Sequence, residues 1–409
     1  MHAPGAGSGP STRVDGRAAP HTGGVSARRI IAIVAFLVAP LLVGACGATD
    51  VDQGAAGGHP TSAEPATSTT PVPTTAPTTT TAPARPERVT LAFTGDLLPH
   101  TAVNERAAAL GTASGSVFDF GPMFDQVAPL LTAADLAICH LEVPLSPDGA
   151  ISGYPTFSAP IELADAIAGA GYDGCSTASN HTLDRGTPGV VTTLDRLDAL
   201  GLGHAGSART EEEALTPTLY ETAGGVVVGQ VAAAYGFNGY TPDEPWRVRA
   251  LDAASLVAAG QAARQAGADL VVASLHWGLE RHHEVRDEQL QLAEELSASG
   301  AFDLIVGHHA HVVQPVQRLH GVPVIFGLGN FLSNMTQPET SDGVIARVRA
   351  VRDPGASRWR MDVALTPTSV DLSTFAIRVV APTDPSWQRT MAVMTFAGVG
   401  HPSAASGAG

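Results

Sequence analysis

Lysine is absent from this sequence, and all 23 basic residues are arginine. Arginine carries the same charge, so the absence reads as coding bias and excludes nothing electrostatic. Positive charge itself is scarce. Against 39 acidic residues the formal net charge is −16, which argues against general nucleic-acid binding and against a broad attraction to polyanions. Only bound metal ions or a local arginine would invert the sign at one place. Cysteine is nearly absent too: Cys46, Cys139 and Cys175 are the only ones, with no Cys-x-x-Cys, so zinc held on thiolates is not expected. The simpler reading of Cys139 and Cys175, both in predicted core strands, is two buried free thiols. The alternative is one disulfide between neighbouring strands, which an exported domain would permit. Long apolar runs are missing apart from residues 30–43, which are short for a membrane span and contain Pro40.

That run has the layout of an export signal: Arg28-Arg29 in front, a short apolar stretch, and small residues at the end. Val43-Gly44-Ala45-Cys46 resembles a bacterial lipobox, which implies lipidation at Cys46 and a signal peptide over residues 1–45. The alternative is an uncleaved anchor. Either places the rest of the chain at the extracytoplasmic face of the cell membrane. Residues 46–87 are rich in Thr, Pro and Ala and offer little to bury, so they are expected to be a disordered tether. The folded domain is expected over residues 88–383, with a tail over 384–409.

Within that domain, apolar runs of strand length alternate with amphipathic stretches. Strands are expected over residues 89–94, 135–140, 172–177, 226–233, 269–275 and 303–306, with helices over 101–110, 124–131, 161–170, 187–200, 253–265 and 284–298. The alternation predicts an α/β fold with a largely parallel sheet. From Gln314 onward strands follow one another without helices, beginning with a hairpin at His320-Gly321. A second, mostly antiparallel sheet packed on the first is therefore expected.

Five polar clusters fall at or after predicted strand ends, where open α/β sheets build their sites. They are Thr94-Gly95-Asp96 with His100, His140-Leu141-Glu142, Ser179-Asn180-His181 with Asp184, His276-Trp277-Gly278, and Gly307-His308-His309-Ala310-His311. His309 and His311 flank one residue, so in extended backbone both rings point to the same side. The set of Asp, Glu, Asn and His suits Mn, Fe or Zn, singly or as a pair. Each cluster has a plainer reading. Asp96 or Asn180 can cap a helix, Glu142 can be a surface acid, and His276 can be a packed imidazole. For His100 and His140 the plainer reading is preferred.

In order along the chain, Phe93-Thr94-Gly95-Asp96, His140-Leu141-Glu142, Ser179-Asn180-His181-Thr182-Leu183-Asp184, His276-Trp277-Gly278, Gly307 to Pro315 and Leu328-Gly329-Asn330-Phe331 resemble the CapA-type capsule synthesis family. That family is associated with poly-gamma-glutamate capsule biosynthesis and belongs to the calcineurin-like metallophosphatase superfamily. The resemblance covers residues 89–335 and implies a four-layer αββα sandwich. It implies metal ligation by Asp96, Glu142, Asn180, His276, His309 and His311, with His181 acting near a leaving group. Two departures stand out. The superfamily's Asp-x-His is here Asp96-Leu97-Leu98, so the expectation is either that His100 or His308 substitutes or that the first metal site is weak. Where the family commonly has Asn-Leu-Glu this chain has His140-Leu141-Glu142, which offers an added imidazole. Asp184 is assigned to orient His181, and Asn330 stays a possible member of the site.

Two functions follow as expectations. One is a lipid-anchored metal-dependent hydrolase acting on a phosphoester or a cell-envelope polymer. The other is a non-catalytic factor that binds an anionic polymer through metal and Arg185 or Arg281 and works with membrane synthase partners.

Overall fold

A computed structural model describes residues 87–394. The expected signal peptide, the expected lipidation site Cys46 and the expected tether lie outside the described residues, save for Glu87. The chain runs β1 (Glu87–Leu97), α1 (Thr101–Ser114), α2 (Gly121–Phe124), α3 (Ala128–Leu131), β2 (Leu136–Leu141), α4 (Glu162–Gly169), β3 (Gly174–Ser176), α5 (Gly186–Ala199) and β4 (Gly203–Ala205). It continues through α6 (Glu211–Leu215), β5 (Thr218–Glu221), β6 (Val227–Ala234), α7 (Ala253–Gln265), β7 (Leu270–His276), α8 (Asp287–Ala298) and β8 (Leu304–His308). The last part is β9 (Val313–Leu319), β10 (Val322–Leu328), β11 (Asn330–Leu332), β12 (Asp342–Arg352), β13 (Arg360–Val370), β14 (Ile377–Val379) and α9 (Pro385–Met394). Among the described residues no helix is long and apolar enough to cross a membrane.

The strands form two mixed sheets. The first has the order β14-β13-β12-β1-β2-β3-β4, with β11 also paired to β1; the second has the order β5-β6-β7-β8-β10-β9. Alternation along each strand sorts side chains into layers. Val89, Leu91 and Phe93 of β1 face Leu270 and Val272 of β7 and Leu304 and Val306 of β8 in a core between the sheets. Ala92 faces the other way, into a core shared with α1, α4 and α5. On the outer face of the second sheet, Val271, Ala273 and Ile305 pack under Leu256 of α7 and Leu296 of α8. Helices, sheet, sheet and helices make the four-layer α/β sandwich that the resemblance implied.

The C-terminal strands pair mostly antiparallel, as expected, but they do not form a separate second sheet: they are divided between two mixed sheets. β12 pairs antiparallel with β1 from Glu87↔Arg352 to Thr94↔Ile345, so the C-terminal strands extend the first sheet. The β9–β10 hairpin instead joins the second sheet, where β10 lies parallel to β8. The central strands of both sheets are buried on both faces, so hydrophobic pattern does not reveal which edge a later strand will choose. The fold also runs past residue 383: α9 buries Met391 and Met394, and Met394 joins the core between the sheets.

Cys139 and Cys175 are directly paired residues of β2 and β3 and are joined by a disulfide, against the simpler reading of free thiols. The cross-link spans 36 positions, which corresponds to roughly 3–4 kcal/mol of stability from the restricted unfolded chain. The Cys139→Ala, Cys175→Ala double variant should therefore melt several degrees below wild type. An unchanged midpoint, or two free thiols in the denatured oxidised protein, would show that no cross-link forms.

Candidate metal centre

The site lies where parallel strands of both sheets end. Asp96, His140 and Glu142 come from β1, from β2 and from the residue after β2; Asn180 and His181 follow β3; His276 ends β7 and His308 ends β8. All are buried, as are His309 and His311. Gly95 does not sit in a turn. It lies inside β1, and a Cβ there would meet the Gly329 carbonyl oxygen at 2.1 Å. The close approach lets the Asp96 N–H donate to Gly329 O at 2.9 Å and places Asp96 beside Asn330 in register.

His309 and His311 do not meet in extended backbone. Their φ values are 88° and 54°, left-handed conformations that non-glycine residues rarely adopt. Such strain concentrates at functional sites. It turns both side chains inward, with ring centroids 5.9 Å apart. The His309 N–H donates to Asp96 Oδ2 at 3.2 Å. His311 Nδ1 sits 3.1 Å from Asp96 Oδ2 and 3.0 Å from Asn330 Oδ1. Because Asn330 Nδ2 donates to Thr340 O, its Oδ1 can only accept, so the His311 proton resides on Nδ1 and Nε2 points toward Glu142 Oε1 at 3.6 Å.

Of the two candidates for the missing Asp-x-His ligand, the structure puts His308 at Asp96. Its Nδ1 is 3.2 Å from Asp96 Oδ1. His100 turns away: its Nδ1 bonds to Leu98 O and lies 3.3 Å from the Asn334 N–H. His140 does enter the cluster, stacked on His308 at 4.1 Å and 2.9 Å from His276 Nδ1. His276 Nε2 is 3.0 Å from Asn180 Oδ1 and 4.0 Å from Glu142 Oε1. His181 stands beside the cluster. Its Nδ1–H donates to Asp184 Oδ2 at 2.7 Å, and its ring meets Phe157 edge-on at 4.7 Å. Asp184 Oδ2 also accepts the Phe157 N–H.

Two further residues were not found from sequence. Tyr235, just past β6, lays its ring 4.5 Å from that of His309. Asn238 accepts from Asn180 Nδ2 at 3.2 Å and lies 3.3 Å from His181 Nδ1. Both follow a predicted strand, the same signal that located the other clusters, and Asn238-Gly239 is a turn pair.

Electrostatics mark the centre as built for positive charge. Burial pushes the Asp96 carboxyl up, but His308 and His311, with His140 nearby, hold it well below the usual range. Burial pushes Glu142 well above its usual value, with Asp96 and Glu280 adding to the rise against His311. Burial, joined by neighbouring imidazoles, drives His140 and His276 down and His309 to about 3. His311 alone goes up, to about 9: burial lowers it, but Glu142 and Asp96 outweigh that. Both oxygens of Glu142, and Nδ1 of His309, are buried without a hydrogen-bond partner. Leaving a buried carboxylate unsatisfied costs several kcal/mol. Glu142, His309 and His311 each bring a ligand atom within 4.8 Å of the others. Oxygen and imidazole donors converging on one point fit a divalent cation.

The Gly95-Asp96, His-Leu-Glu, Asn-His and His-x-His segments thus meet in one place. A family model described as "Bacterial capsule synthesis protein PGA_cap" matches residues 90–335. The chain belongs to this capsule-synthesis family. It is 24% identical over 289 residues to the "PGA biosynthesis protein CapA" of Bacillus subtilis (strain 168), covering 67% of this chain and 70% of that one. To the "Capsule biosynthesis protein CapA" of Bacillus anthracis it is 25% identical over 281 residues, 66% of each chain. Among solved structures it is similar to the calcineurin-like phosphoesterase YfkN from Bacillus subtilis, with a TM-score of 0.43 and 14% identity over 75% of this chain and 96% of that one. For this member of the capsule-synthesis family, the departures from family pattern fall inside the centre: His308 stands at Asp96, and His140 lies against both His308 and His276.

Proposed function

We propose that this chain is an exported, lipid-anchored member of the capsule-synthesis family that hydrolyses a phosphoester or amide-type bond, in a cell-envelope polymer, with the help of one or two divalent cations (Mn, Fe or Zn). Glu142, Asn180, His276, His309 and His311 would hold the cation, with Asp96 beside them. When bound, it supplies Lewis acidity toward a substrate oxygen. The observation that carries the hydrolase reading is the His181–Asp184 pair. A binding site needs ligands but has no use for an oriented imidazole next to them. Asp184 keeps the His181 proton on Nδ1, and Nε2 is left to hold a proton and give it to a departing oxygen or nitrogen. Phe157 packs against the ring and fixes its plane. Export is supported by the Cys139–Cys175 disulfide, which suits an oxidising compartment. Attachment would run through Cys46 and the Thr/Pro-rich tether.

A second reading is a polymer-handling factor that works with membrane synthase partners. It is supported by the naming of a relative in Mycobacterium tuberculosis (strain CDC 1551 / Oshkosh) as a probable polyglutamine synthesis accessory protein. The exposed Arg281, whose N–H donates to the carbonyl of Ala310 between His309 and His311, would then meet the anionic chain. Metal analysis of the purified protein, coupled to a hydrolysis screen with Mn, Zn or Fe, separates the two. Bound metal with phosphoester turnover supports the hydrolase. Bound metal without turnover, on phosphoesters and on polyglutamate, moves the weight to polymer handling. A protein that takes up no metal sinks the centre itself.

A further inference from the structure

We infer that His140 is a positioning residue rather than a ligand: with Ser176 it forms a relay that holds the His276 proton on Nδ1 and turns Nε2 toward the cation. The inference rests on the cation-binding reading above and concerns how this chain prepares one of its imidazoles.

The argument is a count of protons. A neutral imidazole has one N–H and one lone pair, and a ligating nitrogen must offer the lone pair. His276 Nε2 is the nitrogen that faces the acceptors of the centre, Asn180 Oδ1 at 3.0 Å and Glu142 Oε1 at 4.0 Å. Once a cation takes the Nε2 lone pair, the His276 proton must sit on Nδ1, which lies 2.9 Å from His140 Nε2. His140 Nε2 accepts that proton's hydrogen bond and so carries none of its own. The His140 proton is therefore on Nδ1, where Ser176 Oγ accepts it at 2.7 Å. Ser176 turns its own hydrogen to Cys139 O at 3.4 Å. With the cation bound every donor in this relay has an acceptor, and the lone pair offered to the cation is on His276 Nε2; without it the same contacts run in reverse, from the Ser176 hydroxyl through His140 to a His276 Nε2–H on Asn180 Oδ1.

Two consequences follow. His140 Nε2 is occupied, so it adds no ligand atom to Asp96 and His308, whose Oδ1 and Nδ1 lie 3.2 Å apart. The second concerns rigidity. His140 and Ser176 are directly opposed in β2 and β3, one residue beyond the disulfide-linked Cys139 and Cys175. The cross-link therefore holds the spacing of the relay. Ligating histidines usually give their second N–H to a carboxylate, carbonyl or water. Here another histidine takes that place.

The test uses the full chain with nitrogen-15 histidine, loaded with cadmium-113 and read by imidazole NMR. The expected result is coupling of cadmium to His276 Nε2, protons on Nδ1 of both His276 and His140, and no cadmium coupling at His140. Coupling at either His140 nitrogen, or ligation through His276 Nδ1, overturns the relay while leaving the cation site in place. If cadmium binds no imidazole, the relay falls together with the cation reading. Affinity gives an independent arm. His140→Phe keeps a ring against His308 but removes both nitrogens, and should weaken cadmium binding about 10–100-fold. His140→Gln keeps an acceptor at the end of the side chain and should recover most of that loss. Equal loss in the two variants would assign His140 a packing role and overturn the relay.

Discussion

Glu142→Gln protein should bind divalent cations at least about a hundredfold more weakly than wild type. Removing one partner from a buried charge pair costs roughly 3–5 kcal/mol, and each 1.4 kcal/mol is a factor of about ten in affinity. Glu142 is fully buried, and neither oxygen has a hydrogen-bond partner. Burial pushes its carboxyl well up, and of the groups around it His311 favours its ionised form while Asp96, Glu280 and Asp184 oppose it. A cation would supply the missing positive charge, and an amide in place of the carboxylate would not hold it. The metal-free variant should be no less stable than metal-free wild type, because an uncharged amide takes the place of a costly buried carboxylate. The measurement is the melting temperature with and without Mn or Zn. Wild type at a cation concentration about a thousandfold above Kd gains about 4 kcal/mol, and the variant, at least about a hundredfold weaker, should gain about 1.4 kcal/mol or less. An equal thermal shift in both proteins would remove Glu142 from the centre.

His181→Ala separates chemistry from binding. Loss of a positioned general acid lowers turnover by roughly 10²–10⁴, about 3–5.5 kcal/mol in the barrier. Cation content should stay at the wild-type level, since His181 Nδ1 is committed to Asp184. Asp184→Asn should give a smaller loss with a displaced pH profile, because the amide no longer holds the Nδ1 proton against a charge. It also weakens the acceptor of the Phe157 N–H, so KM should rise alongside the fall in kcat. Turnover that survives His181→Ala would mean another group delivers the proton. Metal lost together with turnover would make His181 a ligand.

Much of this was legible in the chain. Strand-length apolar runs ending in Asp96, His140-Leu141-Glu142, Asn180-His181, His276 and His308 to His311 located the strand ends, because a buried strand must be apolar and the polar residue after it marks its exit. The order of those motifs also carried the family. What the pattern did not carry was which strands become neighbours. The centre needs Asp96, Glu142 and Asn180 from one sheet and His276, His309 and His311 from the other, and face-to-face packing of two sheets leaves no period in sequence. Asn330 reaches Asp96 only because β11 lies parallel to β1, with Asp96↔Asn330 in register.

Three finer points were decided by tertiary structure alone. His309 and His311 converge through left-handed backbone, which no spacing rule predicts. Cys139 and Cys175 are bonded because β2 and β3 align them in register, and sequence shows the thiols but not the register. The choice of His308 over His100 at Asp96 turned on where two backbones point, not on residue type. By itself the sequence determined the donor inventory, the strand exits and the α/β class, which follow from composition and local period. The tertiary structure decided which donors share a point in space, because that depends on long-range pairing and close backbone approach.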